Sequence, residues 1–244
     1  MLSHDRKFIF IHIPKCAGSS IEFFLKNEVH ALGWKKKTGL RYTLREKGLA
    51  KTINHYPHYF TFTFVRNPFD RFVSIWKHSE RGLRNAEPNG RNRVDKLISF
   101  FLLGKTKKAK LREAKTYFYR TQRGLSLKEY AYLIREGDQK KLSCFDSYHS
   151  KKQIDFVLDF NMDTYMSIPR KIRKKCDFIG QVENINEDFK TVCNLLNIPF
   201  SILPHKNQNK DSIYYSKHYD KETLNLVREI YKKDFEAFGY NLEL

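Results

Sequence analysis

Acidic residues are few beside the basic ones: 27 Asp and Glu stand against 46 Lys and Arg, a formal charge of +19 over 244 residues. An excess of that size gathers anions into any cleft, which suits nucleic acid, an acidic membrane surface, an anionic glycan or a polyphosphorylated nucleotide. Charge alone does not rank them, and each lysine-rich run also reads as ordinary solvated surface. Cysteine is sparse too. Cys16, Cys144, Cys176 and Cys193 form no Cys-x-x-Cys pair and have no histidine at zinc spacing, which argues against a structural metal and predicts reduced thiols. Apolar runs of membrane-spanning length are lacking, as is a signal-peptide pattern before the strand-like run that begins at Phe8, so a cytoplasmic protein is expected. Internal repeats and low-complexity linkers are also missing. The 41% hydrophobic and 15% aromatic content suits a packed core, and 244 residues suffice for one well-buried domain and are short for two. A single domain over residues 1–244 is the expectation.

What is present begins with Lys7 to Lys26. Phe8 to Ile13 is a β-rich apolar run, Pro14 closes it, and Ser19 or Ser20 opens a helix with Ile21, Phe23, Phe24 and Leu25 among its early residues. The turn Lys15-Cys16-Ala17-Gly18-Ser19-Ser20 then sits at a helix N-terminus, where main-chain N–H groups and the helix dipole favour an anion. Gly18 would let the backbone approach that anion, and Lys15 and the two hydroxyls add donors. An ordinary strand-to-helix turn, with Ser19-x-x-Glu22 as a capping box, fits the same residues. The Walker pattern is absent, because Lys15 precedes the glycine and no Gly-Lys-Ser/Thr follows.

A second unit of the same kind follows. Tyr59 to Val65 alternates aromatic and threonine residues as a strand does and ends at Arg66. Asn67 can cap a helix, Pro68 suits its first turn, and Phe69, Phe72, Val73 and Trp76 share one face. Arg71, Ser74 and His78 fall on another. Ligands of open α/β sheets bind at the carboxyl ends of the strands, so Lys15 and Arg66 at neighbouring ends would form one anionic site. Residues 80–140 turn helical and basic, with a capping box at Ser126 to Glu129 and a stop at Gly137. Cys176 to Gln181 reads as a further strand followed by a helix with Val192, Leu195 and Leu196. Asp220 caps a final helix that buries Leu224, Val227, Ile230, Tyr231, Phe235 and Phe238 and ends at Gly239.

His12-Ile13-Pro14-Lys15-Cys16-Ala17-Gly18-Ser19-Ser20 and Phe64-Val65-Arg66-Asn67-Pro68-Phe69-Asp70-Arg71-Phe72-Val73-Ser74 together resemble the two cofactor motifs of the carbohydrate sulfotransferase family, of sulfotransferase family 2 type. Phe178 to Asn184, His205 to Asn207 and Asp234 to Tyr240 are similar to that family's C-terminal pattern. The resemblance implies a P-loop-like three-layer α/β fold with a central, mainly parallel sheet flanked by helices. It implies the donor 3′-phosphoadenosine 5′-phosphosulfate (PAPS), with 3′-phosphoadenosine 5′-phosphate as product and no metal. Carried over, Lys15, Ala17, Gly18, Ser19 and Ser20 would hold the 5′ end, and Arg66 and Ser74 the 3′-phosphate.

Sulfuryl transfer needs in-line positioning and stabilisation of charge on the leaving oxygen, a task assigned here to Lys15. The acceptor hydroxyl also needs a base. Some relatives carry a His-x-Thr-Leu segment between the motifs; Arg41-Tyr42-Thr43-Leu44 stands there instead, which leaves His55 as the candidate, with His58 and Glu46 behind it and His149 and His205 lower. The expected acceptor is a carbohydrate hydroxyl, with an anionic polysaccharide or a glycolipid as candidates, and the basic region 80–140 would form part of the acceptor side. A nucleotide kinase would need the missing Walker motif. A non-enzymatic polyanion or nucleic-acid binder explains the charge and the Lys105 to Lys115 run, but leaves both motifs as coincidence.

Overall fold

Phe8 to Ile11 alternates aromatic and β-branched side chains and so offers an apolar surface on both faces of a strand. It forms β2 (Phe8–Ile11), buried along its whole length. A computed structural model describes residues 1–28, 53–84, 124–137, 148–157, 176–203 and 215–244. Within them the sheet has the order β1-β2-β3-β4, with β1 (Leu2–Ser3), β3 (Phe60–Val65) and β4 (Phe178–Gln181). β2, β3 and β4 are parallel, in a register that sets Phe8 opposite Phe60, Ile11 opposite Thr63, and Val65 opposite Gln181. The short β1 runs antiparallel on the outer side of β2. This is the expected α/β arrangement, a mainly parallel sheet with flanking helices.

The helices are α1 (Gly18–Glu28), α2 (Pro68–Arg84), α3 (Leu127–Glu136), the single turn α4 (Ile154–Val157), α5 (Ile185–Leu196) and α6 (Lys221–Phe238). Strand alternation sends Phe8, Phe10, Phe62 and Phe64 to one face, where they join Ile21, Phe24 and Leu25 of α1 and Phe189, Val192, Cys193 and Leu196 of α5 in one core cluster. The opposite face carries Ile9, Ile11, Thr63 and Val65, also buried. A parallel sheet covered on both sides accounts for strands that read as near-continuous apolar runs.

The described residues group into two compact units. One comprises Met1–Arg71, Lys151–Ile213 and Tyr231–Leu244, and holds the sheet; the other comprises Phe72–Ser150 and Tyr214–Ile230. The second is helical. In it Ser126 and Glu129 form the expected capping box, Gly137 ends α3 at φ 63°, and the Asp220 carboxylate accepts the Thr223 N–H at 2.7 Å. Trp76 donates its indole N–H to the Leu125 carbonyl at 2.8 Å, and Phe72 packs on Tyr130.

Several expectations shift in detail. The first strand stops at Ile11, two residues before its predicted end, because Ile13 and Pro14 already belong to the turn. Helix α1 starts at Gly18, so Ser19 is inside it, and the Ser19-x-x-Glu22 box does not form. Of the early apolar residues of α1, Ile21, Phe24 and Leu25 are buried and Phe23 is 39% exposed. In α6, Leu226 and Asp234 are buried while Leu224, Ile230 and Phe238 are half-buried, and Tyr231 departs from helical geometry. The Arg41 to Leu44 segment, Glu46, Lys105 to Lys115, Cys144 and His205 lie outside the described residues.

The sheet core gives a direct stability test. Phe62 is fully buried and its ring lies 5.1 Å from that of Phe10 and 5.7 Å from those of Phe8 and Phe60. Phe62→Ala is expected to lower unfolding stability by about 3–5 kcal/mol, read as a shift of the urea midpoint at unchanged slope; a loss below about 1 kcal/mol would contradict the packing.

Candidate functional site

The parallel register of β2 and β3 brings the two sequence motifs to one edge. Each chain leaves its strand at the carboxyl end, through Ile13 to Ala17 after β2 and through Arg66 and Asn67 after β3. Two arginines tie these loops together through the main chain. Arg66 Nη1 donates to the Lys15 carbonyl at 3.3 Å, and Arg71 Nε donates to the Pro14 carbonyl at 3.1 Å.

The first loop is built from an unusual backbone. Lys15 and Ala17 both adopt the left-handed region, φ 69° and 56°, on either side of Cys16. Each such residue costs on the order of 1–2 kcal/mol relative to a right-handed one, so the surrounding bonds must hold the turn. The Cys16 N–H reaches back to the Ile13 carbonyl at 3.4 Å, and the Ala17 carbonyl accepts from Ser20 and Ile21 at 3.0 and 3.2 Å, which places Ala17 immediately before α1. Alternating left- and right-handed residues turn main-chain N–H groups toward one concavity, an arrangement suited to anions. The first turn of α1 carries no acidic side chain.

Gly18 differs from expectation in an instructive way. Its missing side chain makes room for a protein group: a Cβ there would stand 2.6 Å from Nε2 of His12 and 2.8 Å from its Cε1. The ring is held from its other side by Glu22, whose carboxylate lies 2.8 Å from Nδ1. A bond to a carboxylate requires the proton on Nδ1, which leaves Nε2 facing the turn. The sequence places His12 in the first strand and at the head of the first motif, and assigns it no role of its own.

The second loop is equally fixed. Asn67 caps α2 as expected, its amide oxygen accepting the Phe69 N–H at 2.9 Å. Arg66 Nε donates to Asp70 at 2.7 Å, so the guanidinium is oriented by one carboxylate and the Lys15 carbonyl together. From the end of β4, Glu183 accepts the Asn67 N–H at 2.7 Å and the Tyr240 hydroxyl at 2.9 Å. Burial, with Glu183 next, holds the Tyr240 phenol well above the ordinary tyrosine range.

Beneath both loops Gln153 and Cys16 are buried together, the Cys16 thiol donating to Gln153 Oε1 at 3.1 Å. Burial pushes the thiol up to about 12 despite the nearby Arg71 and Arg66, so Cys16 is an inert packing residue and no nucleophile. Arg71, which the spacing sets on a different face from Phe69 and Phe72, is nevertheless 1% exposed and also donates to the Lys151 carbonyl at 2.9 Å.

Thus Lys15, Ala17, Gly18, Ser19, Ser20 and Arg66 come together at one edge. Ser74 is half-buried on α2 within the helical unit. His55 is not brought to the site. It precedes β3, stacks edge-on against Tyr56 at 4.7 Å, and belongs with His4, His58 and Tyr59 to the amino edge of the sheet. A six-residue strand at about 3.3 Å per residue separates that edge from Arg66 by roughly 20 Å, which removes His55 and His58 as bases opposite Lys15. Of the described histidines in this unit, His12 is the one at the carboxyl edge. His149 lies in the helical unit beside His78. No group of three or more His, Cys, Asp or Glu that could hold a metal occurs among the described residues.

Residues 1–241 match the family described as Sulfotransferase family. No curated protein and no solved structure matches the chain.

Two tests follow from the geometry. Gly18→Ala forces the His12 ring out of contact and is expected to cost about 1–3 kcal/mol, a loss that His12→Ala in the same chain partly restores; additive losses in thermal denaturation would contradict the close approach. The native protein treated with iodoacetamide at pH 8 should leave Cys16 unmodified by mass spectrometry, with labelling only after denaturation; labelling in the native state would contradict the burial.

Proposed function

The chain belongs to the sulfotransferase family, and from that premise we propose that it moves a sulfuryl group from PAPS to a hydroxyl of a carbohydrate acceptor. The observation that carries the donor assignment is the bond from Arg66 to the Lys15 carbonyl, which joins the two anion-suited loops into one edge. A nucleotide with phosphate groups at both ends needs two such loops, and a single phosphate would not.

PAPS, when bound, supplies the sulfuryl group and a phosphate as leaving group. The chain's own part is positional and electrostatic. The left-handed turn at Lys15 and Ala17 and the N-terminus of α1, with Ser19 and Ser20, favour the 5′ phosphosulfate end. Arg66, oriented by Asp70, and Ser74 are assigned the 3′-phosphate. Lys15 supplies positive charge to the leaving oxygen, where the negative charge grows most during transfer. Lys15 and Arg66 carry this charge without a metal in the scheme. The basic stretch over residues 80–140, most of it outside the described residues, is assigned an anionic polysaccharide or glycolipid acceptor. A cytoplasmic place in polysaccharide biosynthesis goes with that reading. No helix among the described residues is long and apolar enough to cross a membrane.

Calorimetry with 3′-phosphoadenosine 5′-phosphate is expected to show binding that Lys15→Ala weakens and Arg66→Ala abolishes. Transfer of labelled sulfate from PAPS onto a glycan panel is expected to fall by about two orders of magnitude in Lys15→Ala, the effect of removing one well-placed electrostatic donor. A wild-type protein that binds no nucleotide, and instead binds polyanions with affinity that falls with salt and does not need Lys15, would establish the non-enzymatic reading in its place.

A further inference from the structure

Gln153 is fully buried, and its polar groups serve both candidate loops. Its Oε1 accepts the Arg66 N–H at 2.9 Å and the Cys16 thiol at 3.1 Å, while its Nε2 donates to the Arg66 carbonyl at 2.8 Å. β3 ends at Val65, so Arg66 is the first residue beyond the strand. The side-chain amide of Gln153 therefore pairs with both main-chain groups of Arg66 as a neighbouring strand would, and the same oxygen reaches the turn of the first motif. Gln153 is anchored in its turn, because its own N–H and that of Ile154 donate to the two oxygens of Asp234 at 2.8 and 3.0 Å. Asp234 is fully buried on α6, and burial raises its carboxyl pKa above the ordinary range, although the N–H groups of Gln153 and Ile154 and the nearby Arg71 guanidinium pull the other way.

We propose that Gln153 is a positioning residue for the donor nucleotide: it holds the main chain of Arg66 and the Lys15–Ala17 turn in one fixed arrangement, so that the groups meeting the two phosphate ends keep their separation. This rests on the reading of the site as a PAPS site. The chemistry requires a side chain with a donor and an acceptor at its tip. Glutamate preserves the size and the acceptor, but sets a second acceptor against the Arg66 carbonyl; alanine removes both and leaves two main-chain groups of Arg66 without these partners.

The test compares wild type, Gln153→Ala, Gln153→Glu and Val192→Ala. The last removes core volume from α5, outside the site, and controls for lost stability. Each is checked by near-UV circular dichroism and then titrated with 3′-phosphoadenosine 5′-phosphate well below its melting temperature. The expected result is a rise in dissociation constant and in KM for PAPS of about 10–100-fold for both Gln153 variants, as displacement of a binding group by about 1 Å gives, with Val192→Ala unchanged and KM for the acceptor unchanged throughout. Folded Gln153 variants that bind within about twofold of wild type would overturn the inference alone. Weakening that Val192→Ala shares would assign the effect to stability and overturn it too. Failure of both Gln153 variants to fold would make Gln153 a residue of the fold only. A wild-type protein that fails to bind the nucleotide overturns the PAPS reading and the inference with it.

Discussion

Parallel pairing of β2 with β3 is the constraint from which the candidate site follows. Adjacent parallel strands point the same way, so whatever follows each of them emerges at the same edge, here Pro14 to Ala17 and Arg66 to Asn67. The pairing is itself held by alternation: Phe10 and Phe62 stack on one face over α1 and α5, and a slip of one residue would turn Thr63 and Ile11 into that core. Packing on the aromatic face thus sets the relative height of the two loops, the first of which adds Ile13 and Cys16 to the buried interior.

At that edge the protein spends its arginines on main-chain oxygens. Arg66 reaches the carbonyl of Lys15, and Arg71 those of Pro14 and Lys151. Bonds of this kind stiffen the loops, and for Arg66 they act beside its ion pair with Asp70 at 2.7 Å. Asp70 and Asp234 are the counterweights, one orienting Arg66 and the other anchoring Gln153. Two non-glycine residues in left-handed backbone, Lys15 and Ala17, show where the stiffness is used, since a turn of that cost persists only where neighbours over-determine it.

Local chemistry was legible in the sequence wherever it was local in the structure. Asn67, Ser126 with Glu129, Gly137 and Asp220 announced their caps because a cap involves residues a few positions apart. The adjacency of the motifs was legible through strand alternation and the rule for strand ends. What escaped were groups whose roles depend on partners far along the chain. Arg71 fell off the inward face of its helix and Gln153 had no assigned role, because the carbonyls and carboxylate that satisfy them come from positions 57 to 81 residues away. Leu2 and Ser3 are too few to show a period. His55 failed for a geometric reason, since nearness in sequence to a strand says nothing about which of its ends carries the site. His12 had no assigned role because a residue inside an apolar run reads as strand, while the contact that gives it meaning is the empty side-chain position of Gly18.

The bonds around Gln153 also bear on the entropy the chain must give up to fold. They close loops of 137 residues to Cys16, 87 to Arg66 and 81 to Asp234, and Glu183 reaches Asn67 across another 116. Contacts of such sequence separation reward the chain only after the entropy of closing those loops has been met, and the pairing of β3 with β4, which sets Phe62 opposite Phe178, closes a loop of the same size. Sheet and site loops therefore carry closure costs of one kind, which the local helices do not. A nucleotide bound across those loops would offset part of that cost, since a ligand that binds only the folded form stabilises that form by mass action.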